Sequence, residues 1–345
     1  MSHGPVNETL EHIRRFWSGH GRVMVSVTPP QLREGLQRAD DATWLAAHRK
    51  HLPRVADLPG WNVQSVHPDF GTISQAMYWG CEPVDGPGID APFVNPAATT
   101  LEQALAVSPE PADAPHRDAS RALRLYRELR RDWPGDDLWL RTPDAQGVLN
   151  TAGMVLEQTE LFMGMVNEPA AVERFLEGIC DWLIDLWRYL RQESGERICG
   201  NIWPGTVLPC DLGVSFTEDM MPLLAPEMYE QFSIPLLRKL DRAFGGLHIH
   251  CCGQWGRHAP TLAAADLNLL AVEFHHPYTT IEQLAPLPAQ TVVVPYLAAD
   301  QPTDFADAGQ FYHHLLDSTD RRFWFAFPSD DPVTLELARS LIARS

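Results

Sequence analysis

Two hydrophobic rhythms alternate along the chain, most regularly after residue 117. Stretches 117–132, 168–193, 226–244, 303–318 and 332–343 carry apolar residues at three- and four-residue spacing, which predicts amphipathic helices. Short apolar runs bounded by Gly, Pro or Asp read instead as strands: NVQSV at 62–66, LWLRT at 138–142, RICGNIW at 197–203, LHIHCC at 247–252, LLAVEFH at 269–275, TVVVPYL at 291–297 and RFWFAF at 322–327. Strands that alternate with helices build parallel βαβ units. Seven or eight such units predict an α/β fold of the (β/α)8 TIM-type barrel class in a single domain. The stretch 204–219, PGTVLPCDLGVSFTED, holds either a further strand or a loop. Residues 1–60 are expected to form an N-terminal helical extension. Residues 82–118, rich in Pro, Ala and acids, are expected to form an irregular insertion or lid.

Charge and composition narrow the function. The 345 residues include 45 acids against 27 Lys and Arg, a net charge of -18, which argues against nucleic acid or an anionic membrane as partner. The first twenty residues lack an apolar signal region, and no stretch approaches ~18 uninterrupted apolar residues, so a cytoplasmic protein is expected. Six cysteines are too few for a disulfide scaffold at this length, so they read as reduced thiols, some of them available as thiolate ligands.

The candidate chemistry lies in HIHCCGQ, residues 248–254. On a strand, alternation puts His248, His250 and Cys252 on one face and Ile249 and Cys251 on the other. Gly253 ends the run, so Cys252 belongs at the carboxyl end of a strand, where barrel active sites are built. The next strand sets Glu273 and His275 on a common face in the same way. Imidazole, thiolate and carboxylate together suit Zn2+, and three such ligands leave a fourth position open for catalysis. The competing reading is a hydrogen-bonded core histidine, and His248, the deepest of the three, fits it best. A disulfide between Cys251 and Cys252 is disfavoured, because adjacent residues bridge only under strain. Asp69, just beyond the first strand in HPDFGT, is a candidate to orient substrate or to cap a helix.

The run IHCCG resembles the HxCG signature of the uroporphyrinogen decarboxylase-like superfamily, in its zinc-dependent corrinoid/thiol methyltransferase branch. DFGTISQAMYWGCEP at 69–83, CDLGVSFTEDMMPLLAPEMYEQFSIPLLRKL at 210–240 and the terminal FPSDDPVTLELARSLI resemble further segments of that family in the same order. The resemblance implies zinc on His250 and Cys252, with Glu273 in the place of a ligating carboxylate, and a methyl group passing between a corrinoid and a small thiol such as coenzyme M. It also implies that Asp211 is an acid lining the barrel mouth. The chain departs from the pattern where a last cysteine is expected: residues 328–331 read PSDD, leaving Asp330 or His248 to complete the site. No DxHxxG corrinoid motif occurs, which assigns the corrinoid to a separate partner protein. A homodimer is compatible with all of this. The porphyrin-decarboxylase branch is disfavoured, since VSVTPPQL at 25–32 stands where its arginine-rich segment grips substrate carboxylates. Two alternatives remain: a decarboxylase or carbon–sulfur lyase on the same fold, and a non-catalytic metal-binding accessory protein.

Overall fold

The computed structural model describes residues 5–32, 35–84, 93–133, 138–200, 205–298 and 301–344. Eleven strands occur among them: β1 (Val23–Val27), β2 (Ser65–Val66), β3 (Glu82–Val84), β4 (Phe93–Asn95), β5 (Trp139–Arg141), β6 (Ile198–Cys199), β7 (Val214–Thr217), β8 (Leu247–His250), β9 (Leu269–His276), β10 (Val292–Leu297) and β11 (Phe323–Phe327). Six form one parallel sheet in the order β1-β11-β10-β9-β8-β7, three form a second parallel sheet β2-β5-β6, and β3 with β4 is an antiparallel hairpin. The ends of the large sheet reach the strands of the small one: Trp61 N, just before β2, donates to Val25 O at 2.8 Å, and Thr217 N donates to Ala145 O, just after β5, at 2.8 Å. This mixed α/β arrangement is consistent with a TIM-type fold.

Strands buried on both faces explain the continuous apolar runs. One face packs against the outer helices. The longest, Pro169–Glu193, begins with a proline in its first turn and buries Val172, Phe175, Leu176, Ile179, Leu183 and Leu186 at helical spacing. The other face gathers Met24, Trp139, Val292, Val294, Trp324 and Ala326 into a second cluster. The helix Pro5–Trp17 adds Ile13, Phe16 and Trp17 to it from the amino ends of the strands. Trp17 stacks on Trp324 at a centroid distance of 5.3 Å, and its Nε1 donates to Val207 O at 2.7 Å. Among the described residues no helix is long and apolar enough to cross a membrane.

Three expectations change here and one open segment is resolved. Residues 1–60 are more than a helical extension, because Val23–Val27 pairs residue by residue with Phe323–Phe327 inside the large sheet. Residues 204–219 contain a strand, β7, paired with β8. The expected helix 226–244 is two, Pro226–Phe232 and Ile234–Phe244, broken where Pro235 has no N–H to continue the ladder. The 82–118 segment, expected to be irregular, carries the β3–β4 hairpin and the short helix Leu101–Ala106. Its residues 85–92 lie outside the described residues.

One irregularity in the large sheet positions the site. Leu247 pairs with Leu269 but His248 pairs with Ala271, so Leu270 is an extra residue in β9. Its side chain fills the space left by two glycines: a Cβ on Gly246 would meet Leu270 Cδ1 at 2.6 Å, and one on Gly213 would meet the same atom at 2.8 Å. The extra residue sets Glu273, instead of Val272, beside His250. Gly246→Ala is therefore expected to lower stability by ~1–3 kcal/mol through overpacking, and Leu270→Ala should rescue part of that loss. Denaturant unfolding of the single and double variants checks it; strictly additive losses would show that the two positions do not share this space.

Candidate metal centre

His248 and His250 both point inward from β8, as alternation predicts, but into different surroundings. Nδ1 of His248 lies 2.9 Å from Ser215 Oγ of β7, and burial pulls its pKa down to about 4. It is a neutral core histidine and belongs to neither cluster of potential ligands described next. His250 sits one step nearer the carboxyl ends of the strands. Its Nδ1 lies 2.7 Å from Glu273 Oε1, and His275 Nε2 lies 3.3 Å from the same oxygen. On the other side of the ring, Nε2 lies 3.8 Å from Asp219 Oδ1. That oxygen also accepts from Cys252 N at 3.0 Å and from Cys252 Sγ at 3.3 Å. Asp219 lies two residues past the end of β7, where Glu218 N ties the chain to β8 by donating to His250 O at 2.8 Å.

Two overlapping triads result: Asp219, His250 and Cys252, and His250, Glu273 and His275, with ligand atoms in each within 4.8 Å of one another. The donors fit a metal of the zinc type, being one imidazole, one thiol and one carboxylate in the first triad. The second triad holds the tighter pair. Glu273 Oε1 is in contact with His250 Nδ1 at 2.7 Å, while its Oε2 is buried with no hydrogen-bond partner. Burial resists the charge on each. Mutual attraction outweighs it, so that His250 is raised well above the usual imidazole value and Glu273 is held down at about 2.

Cys251 points the opposite way into the outer core, where burial pushes its thiol well up. Asp69 stands near the same end of the strands and is buried; its Oδ1 accepts from Gln37 Nε2 and Gly71 N, both at 3.2 Å. Asp330 lies apart from both triads, with Arg54 Nη2 3.4 Å from its Oδ2. Asp211 does not line the mouth. It precedes β7, at the amino ends of the strands, where it pairs with Arg14 of the first helix. Asp211→Asn is expected to leave metal content unchanged and to shift stability by no more than ~1 kcal/mol, the range of an exposed ion pair. Loss of bound metal in that variant would return Asp211 to the site.

Sequence reasoning missed Asp219, whose signal was its position just past a strand that had been left open. It also missed Asp144, past the end of β5. Burial and the neighbouring Asp69 raise Asp144 to about 6, although Gln146 Nε2 donates to its Oδ1 at 2.6 Å. Glu218, buried beneath Asp219, is raised to about 8 by burial and by that neighbour. Beside Asp219 opens a cavity of about 650 Å3, lined by Gln146, Asn150, Glu157, Met154 and Met220, with the exposed Phe93 and Leu223 at its rim. Its volume is that of a small-molecule site.

The chain is similar in fold to a methyltransferase from Methanosarcina mazei. The match has a TM-score of 0.65 at 14% sequence identity and covers 98% of this chain and 97% of that one. No protein-family model matches the sequence, and no curated protein matches it.

Proposed function

We propose that this chain is a zinc-dependent methyltransferase that moves a methyl group between a corrinoid, carried by a separate protein, and a small thiol. The observation that carries the reading is the meeting of Asp219, His250 and Cys252 beside a cavity of about 650 Å3. The similarity in fold to a methyltransferase supports it. In this reading the two parallel sheets belong to one (β/α)8-type barrel domain, and His250 Nε2, Cys252 and Asp219 hold the metal. Glu273, which the family resemblance makes a ligand, instead grips His250 from its Nδ1 side and fixes the ring, the role carboxylates play behind metal-bound histidines. Zinc at this position would acidify a thiol so that it is a thiolate at neutral pH. Met154 and Met220 offer an apolar wall on which the thiol's carbon chain would pack.

Asp144 favours a second reading, a lyase or decarboxylase on the same fold, because a carboxyl raised to about 6 is poised to move protons near neutral pH. One experiment separates the two. Zinc-loaded protein is incubated with methylcobalamin and a panel of small thiols, and the products are analysed by mass spectrometry. Thioether formation that depends on Cys252 supports methyl transfer. Zinc binding without methylation of any thiol would sink it in favour of the lyase.

A further inference from the structure

We propose that the cavity beside Asp219 selects a positively charged small substrate, an ammonium-bearing thiol or a compound of that class, and rejects anionic ones. The inference rests on the methyl-transfer reading only for the thiol; the charge preference stands on the cavity itself.

The ionisable groups among the described lining residues are Glu157 and Asp219, both acidic, and no Lys, Arg or His is among them. Two of the neutral side chains, Gln146 and Asn150, are already engaged within the wall. Gln146 Nε2 donates to Asp144 Oδ1 at 2.6 Å, Asn150 Nδ2 donates to Gln146 Oε1 at 2.7 Å, and Gln146 N donates to Gln75 Oε1 at 2.7 Å. Asn150 Oδ1 in turn accepts from Met220 N at 3.0 Å. These bonds engage one N–H of each amide and both amide oxygens within the wall. Asp144 and Asp69 stand behind the wall, close enough for Asp69 to act on Asp144, with weaker and opposed effects from His250 and Asp219. A carboxylate- or sulfonate-bearing thiol with its sulfur on the metal would find no Lys, Arg or His among the described lining residues for its anionic end, and would set that end against Glu157. An ammonium group would meet Glu157, the lining carboxylate that the metal does not use, while its carbon stem packs on Ile73, Met154 and Met220.

Glu157 is the residue on which to test this, since it lies outside both candidate triads and its Oε2 caps the following helix by accepting from Glu160 N at 3.0 Å. Glu157→Gln keeps an acceptor for that cap and removes the charge. The full chain, loaded with Co2+ in place of zinc, is titrated with cysteamine, 2-mercaptoethanol and 3-mercaptopropionate, and thiol coordination is followed in the visible spectrum. Cysteamine should bind roughly tenfold or more tightly than 3-mercaptopropionate, the scale of one partly screened charge contact. The preference should shrink in Glu157→Gln. A parallel arm uses propylammonium and propionate, which carry no thiol, and reads binding by ligand-observed NMR, which also removes the difference in thiol acidity between the probes. If propionate binds as well as propylammonium, the proposal is overturned whatever the thiols do. If propylammonium binds selectively while no thiol alters the cobalt spectrum, the charge selection stands and the thiol reading fails.

Discussion

His250→Ala and Cys252→Ala should each weaken zinc binding by at least ~100-fold, while Cys251→Ala leaves it intact. Loss of a residue that only supports a ligand already costs about 10–100-fold in affinity, and removal of a ligand costs more. His250 and Cys252 belong to the same triad with Asp219. Cys251, one position away, is fully buried in the outer core with its thiol pushed well up, a poor state for a metal ligand. Cys251→Ala still empties a small core volume, so its cost should appear as a modest fall in stability, about 1 kcal/mol, and not in metal content. Equilibrium dialysis with metal analysis, run beside denaturant unfolding, keeps the two effects apart. Equal metal loss in all three variants would show that the cluster is not a metal centre built on one strand face.

The part of this site that was legible in the sequence is the part carried by short-range rules. Period-two alternation separates His250 from Cys251 without any knowledge of the fold, and the glycine after Cys252 places the pair at a strand end. Asp219 and Asp144 were not legible in the same way. Each lies just past a strand, and which strands become neighbours depends on pairing between distant segments: Thr217 meets His250 only because β7 pairs with β8. β1 was missed for a related reason. Five apolar or small residues between polar neighbours carry little period information, and what fixes them as a strand is their register against β11, about three hundred residues away. Asp211 went wrong through resemblance, since a motif match gives an order along the chain but not which end of a strand an acid occupies. The bulge at Leu270 is the most consequential unpredicted feature. Without it a straight continuation from Leu247 opposite Leu269 would bring Val272 beside His250, and the buried carboxylate would face away.

That carboxylate makes Glu273→Ala, in the metal-free protein, the substitution expected to destabilise the fold most. Glu273 is fully buried and His250 nearly so, and removing one partner of a buried ion pair leaves the other charge without compensation, a loss of ~3–5 kcal/mol. The pH dependence should identify the cause. Glu273 is depressed from 4.5 to about 2, so its contribution is fully present above 4.5 and disappears as pH falls through about 2. His250 is raised well above 6.5, so its contribution is fully present below 6.5 and disappears as pH rises through the raised value. Wild type and variant should therefore differ most between 4.5 and 6.5, converging on the acid side and, more distantly, on the alkaline side. Replacing both partners with Leu should recover much of the loss, because an apolar pair leaves no orphaned charge. A Glu273→Ala variant whose stability deficit is the same at every pH would mean that the lost term is packing, and that Glu273 and His250 do not share a charge in the absence of metal.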